Sequence, residues 1–261
     1  MATKRILVSN DDGINHPAMW ALVNSISDLG EVTVSAPDRN CSGVGTSMTL
    51  HNPVRAIEVK PLIDGIKAFA VQGMPSDAVV LGLQNLADGP IDAVVTGINP
   101  GNNVTENVLV SGTVGAAYAA HLSGVPAMAI SMGYRVDPTN PVMQRVISAA
   151  TNVLLEHEGP ALINLNFPWA DDWPLKGAKI TYPAPQILNA KTKADTVGVD
   201  QFYWIQWELV DGVDFDTLPA DCDIAALRAG YVSVNSMAWP TDDKRDSLLL
   251  NKMVTAIEAV I

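Results

Sequence analysis

The chain has 261 residues, of which 48% are hydrophobic and 17% charged, which suits one large α/β domain with a substantial core and excludes bulk disorder. A formal net charge of −12 and a pI near 4.6 argue against a partner such as a nucleic-acid polymer or an anionic membrane, whose binders rely on Lys and Arg contacts to phosphate. Cys41 and Cys222 suggest neither a disulfide framework nor a zinc ligand set. With no signal-peptide pattern and no apolar run of spanning length, a cytoplasmic location is expected.

Ile6-Leu7-Val8 has the length and branching of a buried parallel strand. It stops at Asn10-Asp11-Asp12-Gly13, four turn-formers that cannot continue inside a sheet. In open α/β sheets, ligands gather beyond the carboxyl ends of strands. Adjacent strand residues point to opposite faces, so Asp11 and Asp12 share a task only if the chain curls, which Gly13 permits. Two carboxylates brought together repel, and a divalent cation relieves them. The alternative is an Asx-rich turn that caps the next helix.

Pro17 to Leu29 follows as a helix, with Met19, Trp20, Leu22, Val23 and Ile26 at helical spacing, and Val32 to Ala36 as a second strand. Strand, helix and strand make the right-handed crossover of a parallel sheet. Beyond the second strand, Pro37 to Thr46 is polar and glycine-bearing. Ser42-Gly43 offers a hydroxyl and backbone N–H groups to a metal or an anion, or is a surface loop. Neither a dinucleotide fingerprint nor a Walker loop is present. Val54–Val59 and Ile66–Val71, flanking Asp64-Gly65, predict an antiparallel hairpin. Ser76 is the expected N-cap of the next helix.

Asp92 to Thr96 predicts another buried strand, which ends in Gly97-Ile-Asn-Pro-Gly-Asn-Asn103 with amides at Asn99, Asn102 and Asn103. Ser111-Gly112-Thr113 opens a helix. Two hydroxyls at a helix N-terminus can cradle phosphate, or simply cap the helix. Strands over Ala127–Ser131 and Leu162–Asn166 bracket a helix from Pro141 to His157. After Trp169 the sequence becomes irregular and aromatic, including Phe202-Tyr-Trp-Ile-Gln-Trp207, which is either a subunit contact or a local satellite core. Short helical turns at Asp223–Arg228, a late strand at Gly230–Asn235 and a helix from Ser247 to Ile261 complete the chain. Of the histidines, only His16 falls near the candidate site.

This reading gives a Rossmann-like three-layer α/β sandwich with a mainly parallel sheet and an extended C-terminal hairpin. Residues 1–167 form the catalytic core. Residues 168–261 form the arm, the late strand and the terminal helix, completing the core and an oligomer interface.

Ser9-Asn-Asp-Asp-Gly13, Ala36-Pro-Asp-Arg-Asn-Cys-Ser-Gly43, Thr96-Gly-Ile-Asn-Pro-Gly-Asn102 and Ser111-Gly-Thr-Val-Gly-Ala116, in this order, resemble the SurE (survival protein E) family. Gly73-Met-Pro-Ser-Asp77, Tyr203-Trp204 and Gly230-Tyr-Val-Ser233 add weaker agreement. The resemblance implies a metal-dependent phosphatase of nucleoside 5′- and 3′-monophosphates, with cleavage of short polyphosphate in some members. It places a divalent ion on Asp11, Asp12, Ser42 and Asn99, and further site groups at Asn10, Asn103, Ser111 and Thr113. It also implies a homodimer or homotetramer built through the C-terminal arm. The chain departs from the pattern at Asn15-His16, Cys41, Pro100-Gly-Asn-Asn103 and Ala220-Asp-Cys-Asp223.

Oxygen donors alone suit Mg²⁺ or Mn²⁺. The expected reaction is direct hydrolysis, with Asp11 or Asp12 assisting proton removal and Asn103, Ser111, Thr113 and the helix N-terminus holding phosphate oxygens. A covalent aspartyl-phosphate route wants Asp-x-Asp spacing, which Asp11-Asp12 does not offer. A nucleotide-binding or metal-sensing protein without turnover would use the same loops.

Overall fold

The structure, a computed structural model, describes residues 3–169, 174–197, 200–237 and 244–261. Trp173 and Trp239 of the aromatic C-terminal region therefore lie outside the described residues.

Strand β1 (Arg5–Ser9) lies between β2 (Glu31–Pro37) and β5 (Ala93–Pro100) and runs parallel to both, with Val8 opposite Val34 on one side and Val95 on the other. Its uninterrupted apolar run reflects burial on both faces. Ile6 and Val8 enter one core with α1 (Pro17–Ile26), α4 (Pro141–Leu155) and α6 (Lys244–Glu258). Leu7 enters the other with α2 (Pro75–Leu81) and α3 (Gly112–Leu122). Helices thus cover both faces of the sheet, the doubly wound arrangement that the strand–helix–strand pattern predicts.

Four further strands extend the sheet on either side: β3 (Ala56–Glu58), β4 (Lys67–Val71), β6 (Ala127–Met132) and β7 (Leu162–Asn166). Two late strands, β8 (Ala178–Ile180) and β11 (Val232–Ser236), complete it, in the order β3-β4-β2-β1-β5-β6-β7-β11-β8. The β3–β4 hairpin forms as expected, antiparallel, while β4 joins β2 in parallel. β11 runs antiparallel to β7, and α6 packs against α4, so the chain after 174 returns to the core.

One capping expectation fails. Ser76 lies inside α2, and Met74 is the N-cap. Pro75 fits the first helical position because its missing N–H needs no partner there, and the Asp77 carboxylate accepts the Met74 N–H at 2.8 Å.

The long hairpin β9 (Leu188–Val197) and β10 (Asp200–Leu209) forms a separate two-stranded sheet, paired only with itself among the described residues. Ile205 is 76% and Trp204 62% exposed, so the aromatic ribbon is not itself a satellite core. A small apolar cluster does form at its base, from Val104, Ala184, Ile187, Cys222, Ile224 and Leu227.

Candidate metal and phosphate site

The carboxyl ends of β1, β2 and β5 are neighbours in the sheet, so the three loops that leave them meet. At the first, the Asn10 side chain closes the curl. Its Nδ2 donates to the Gly13 carbonyl at 3.0 Å, and its Oδ1 accepts the Gly13 N–H at 3.2 Å. Gly13 adopts φ 100°, a conformation that side chains other than glycine's resist. The second loop is tied to the first by the Cys41 N–H, which donates to the Asp11 carbonyl at 2.6 Å, and by the Ile14 N–H, which donates to Pro37 at 2.8 Å.

Asp11 and Asp12 point into different surroundings. Asp11 is 3% exposed and lies against the N-terminus of α3. Its Oδ1 accepts from the Thr113 hydroxyl at 2.5 Å, and a Cβ on Gly112 would come 2.7 Å from the Asp11 Cβ, so only glycine admits this approach. Burial raises the Asp11 pKa, although the Thr113 hydroxyl and the backbone N–H groups of Thr113 and Gly112 work against the rise. Asp12 is half-buried. Its Oδ1 accepts from Asn40 Nδ2 at 3.3 Å. Burial, then the Asp11 charge, push its pKa up to about 6, with His16 and Asn40 opposing. Its other oxygen, Oδ2, is buried and has no donor among the described residues.

Asn40 bridges the loops. The same side chain that donates to Asp12 accepts the Ser42 N–H at 2.9 Å. Ser42 is therefore held near Asp12 by a residue that sequence reasoning did not single out. The second loop also docks on α3. A Cβ on Gly115 would lie 2.2 Å from the Gly45 carbonyl oxygen, and the Gly45 N–H donates to Val110 at 3.0 Å. This contact makes the stretch a fixed part of the fold rather than a free surface loop.

Ser111 caps α3, accepting the Val114 N–H at 3.2 Å. The helix N-terminus, with its positive dipole end and the Gly112 and Thr113 N–H groups turned to the Asp11 carboxylate, thus stands against the aspartate loop. His16 caps α1 through Nδ1.

The third loop is built differently. The pairing of β5 with β6 shifts register between Thr96 and Asn99, an irregularity of the kind that re-aims side chains. Asn99 Nδ2 donates to the Gly101 carbonyl at 2.6 Å, which leaves its Oδ1 available as an acceptor. The Asn103 N–H donates to Asn166 Oδ1 at 2.9 Å, and its carbonyl accepts from Asn164 at 2.8 Å and from Asn166 at 3.0 Å. Its side chain donates to Ser131 Oγ at 2.8 Å. Asn99 and Asn103 make no direct hydrogen bond to Asp11 or Asp12 among the described residues; they are tied instead to their own loop and to β6 and β7. Asn164 and Asn166 were missed, yet a signal existed. Two amides at alternate positions of the apolar strand Leu162–Asn166 face one side of a buried sheet and must find partners there.

Asp11, Asp12, Ser42 and Asn99 supply carboxylate, hydroxyl and amide oxygens. A buried carboxylate oxygen without a donor, beside a second carboxylate, is an excess of negative charge that a cation would offset. No three His, Cys, Asp or Glu side chains converge among the described residues, so this donor set suits a hard, partly hydrated divalent ion rather than a soft-ligand cage.

Comparison with known proteins agrees over most of the chain. The family model described as Survival protein SurE matches residues 6–190. A protein of Dehalococcoides mccartyi strain BAV1 named 5′-nucleotidase SurE is 38% identical over 242 residues, covering 89% of this chain and 88% of its own. A protein of the same name from Geobacter metallireducens is 35% identical, covering 89% and 90%. One from Methanocorpusculum labreanum is 34% identical, covering 99% and 100%. The crystal structure of the Sure protein from Aquifex aeolicus superposes with a TM-score of 0.72 at 29% identity, covering 91% of this chain and 95% of that one. From its fold, its three strand-end loops and these similarities, the chain belongs to the SurE family.

Proposed function

We propose that this protein is a metal-dependent phosphomonoesterase that hydrolyses nucleoside 5′- and 3′-monophosphates to nucleoside and phosphate. One observation carries the chemistry: two carboxylates close enough to raise each other's charge cost end β1, Asp11 against the α3 N-terminus and Asp12 with a buried Oδ2 that has no donor among the described residues. The names of the relatives, 5′-nucleotidase, supply the substrate class.

Asp11, Asp12, Ser42 and Asn99 would hold a divalent cation, Mg²⁺ or Mn²⁺. When bound, such an ion supplies Lewis-acid polarisation of the phosphoryl group and lowers the pKa of water. The chain's own groups do the rest. Thr113 fixes the orientation of Asp11, so that its remaining oxygen has one direction. Asp12 accepts the proton that the attacking water must lose. The α3 N-terminus and the Ser111 hydroxyl hold non-bridging phosphate oxygens in place, and Asn103 Nδ2 keeps a second N–H for the same task while its first is bound to Ser131. Asn10 contributes by holding the turn that presents both carboxylates.

We also assign the exposed β9–β10 ribbon, with Tyr203, Trp204, Ile205 and Trp207 on its surface, to self-association as a homodimer or homotetramer. Among the described residues no helix is long and apolar enough to cross a membrane, and we place the protein in the cytoplasm.

Phosphate release from AMP, GMP and short polyphosphate, measured with and without Mg²⁺ or Mn²⁺, tests this reading. Metal-dependent release from a nucleotide is expected, and Asp11→Asn abolishes it. Binding of nucleotide and metal without release would replace the enzyme by a sensor.

A further inference from the structure

Asp223 opens the short helix α5 (Asp223–Arg228) that follows the arm. Its carboxylate is fully buried, and no cation pairs with it among the described residues. We propose that Asp223 is a positioning residue for the phosphate side of the site: it fixes the segment between Asn103 and Ser111, and through that segment the groups that hold phosphate oxygens. The role rests on the phosphatase reading for what Asn103 and Ser111 bind.

The partners of the carboxylate are the first argument. Its Oδ2 accepts the Thr105 N–H at 2.9 Å. Its Oδ1 accepts the Ala184 N–H at 2.9 Å and the Ile224 N–H at 2.7 Å. The two oxygens thus serve different stretches of chain. Oδ2 holds the segment that leads to α3, and Oδ1 holds the approach to the ribbon and α5 itself. Burial raises the Asp223 pKa, and the N–H groups of Thr105, Ala184 and Ile224 oppose the rise. A buried carboxylate is costly, but it accepts at both ends and donates at neither. Asparagine would turn an NH₂ group toward one of the backbone donors. A helix cap needs one acceptor; two opposed acceptors make a clamp.

The residue that is clamped is the second. Thr105 is fully buried and adopts φ 59°, a left-handed conformation that a β-branched side chain resists. Such strain persists only where the surrounding structure holds it, and it gathers at functional sites. Beyond the clamp, the Thr105 hydroxyl accepts the Asn107 N–H at 3.3 Å at the start of the tight turn Thr105–Val110.

The course of the segment is the third. Behind it, the Asn103 backbone is tied to Asn164 and Asn166. Ahead of it, the Ser111 N–H donates to the Val108 carbonyl at 3.3 Å, and the Val110 carbonyl accepts from Gly45. Val104 is buried with Cys222, Ile224 and Leu227, so α5 grips the same segment by packing. Releasing Thr105 therefore loosens the stretch that spaces Asn103 from Ser111.

The test uses the full-length chain with Mn²⁺, and inorganic phosphate as the calorimetric probe. Asp223→Asn keeps the shape and sets an NH₂ group against one backbone donor. Its phosphate Kd should rise about tenfold, the size expected when one buried N–H loses its acceptor. For AMP, kcat/KM should fall by a similar factor. The rise in melting temperature with Mn²⁺ should match the wild type, because the metal side does not depend on the clamp. In a Ser111→Ala background, Asp223→Asn should cost less than about threefold, since the positioned hydroxyl is already gone. An unchanged phosphate Kd overturns the proposal. So does a Mn²⁺ shift lost in step with phosphate affinity, or an equal cost with and without the Ser111 hydroxyl, since either marks a residue that only supports the fold. If the wild type binds phosphate but releases none from AMP, the phosphatase reading falls and the Kd values still decide the role of Asp223. If the wild type binds no phosphate, both fall. Should Asp223→Asn fail to fold, hydrogen exchange of the wild type decides. Coupling is reciprocal, so phosphate with Mn²⁺ should slow exchange of the Thr105 amide about tenfold, and no slowing overturns the role.

Discussion

The Thr113 hydroxyl donates to Asp11 Oδ1 across 102 positions of sequence, joining the start of α3 to the end of β1 inside the protein. Both side chains are buried, so the bond satisfies a carboxylate that water does not reach. Thr113→Val keeps the shape and removes the donor. It should destabilise the protein by about 1–3 kcal/mol, because the buried carboxylate loses its side-chain donor and keeps only backbone N–H groups. Urea denaturation measures that loss, and phosphate release should fall with it. Thr113→Ser, which restores a hydroxyl, should recover most of the activity.

Metal and stability are linked through Asp12. A divalent cation that binds only the folded protein raises its stability by about 2.7 kcal/mol at a hundredfold excess over Kd. Thermal unfolding with Mg²⁺ or Mn²⁺ should therefore move upward in the wild type. Asp12→Asn removes one of two neighbouring carboxylates. Without metal this variant should melt at or above the wild type, and the upward shift with metal should be small. A variant that melts well below the wild type in chelator would show the Asp12 charge to be a structural need instead.

Asn166 pairs with both backbone groups of Asn103, accepting its N–H and donating to its carbonyl. Asn166→Leu should cost about 2–3 kcal/mol in chemical denaturation, since the Asn103 N–H loses its partner. Turnover should fall more than substrate affinity if the loop is displaced, and the kcat and KM values separate the two.

Asp92 sets an acid limit on the pairing of β1 with β5. Burial works against its charge, but the Arg5 N–H at 2.8 Å and the Lys4 ammonium at 3.1 Å outweigh it and hold its pKa below the ordinary value of 3.8. A carboxylate depressed in the folded state stabilises above its unfolded pKa, and this stability is lost as pH falls through the folded value. Unfolding midpoints followed below about pH 4 should decline less steeply in Asp92→Asn than in the wild type.

Much of this was legible in the residues. β1 was readable because an unbroken apolar triplet ends in Asn10-Asp11-Asp12-Gly13, a change that only a strand end explains. The Ser111 cap was readable from local chemistry. The start of α2 was not, because Pro75 and Asp77 act together to move the cap back to Met74. The bridge by Asn40 and the support of Asn103 by Asn164 and Asn166 were hidden for another reason. Asn166 lies 63 positions from the group it holds, and no local pattern names a partner so far away. The aromatic ribbon was ambiguous because Phe202 to Trp207 alternates no polarity that would tell an inner face from an outer one.

The glycine contact between Gly115 and Gly45 has a mechanical meaning. The segment bearing Ser42 and the helix bearing Thr113 abut without any side chain between them, so neither can yield independently. Enlarging Gly115 would pry the metal-holding and phosphate-holding halves apart in a single movement, and selection for one half is thereby selection for the other.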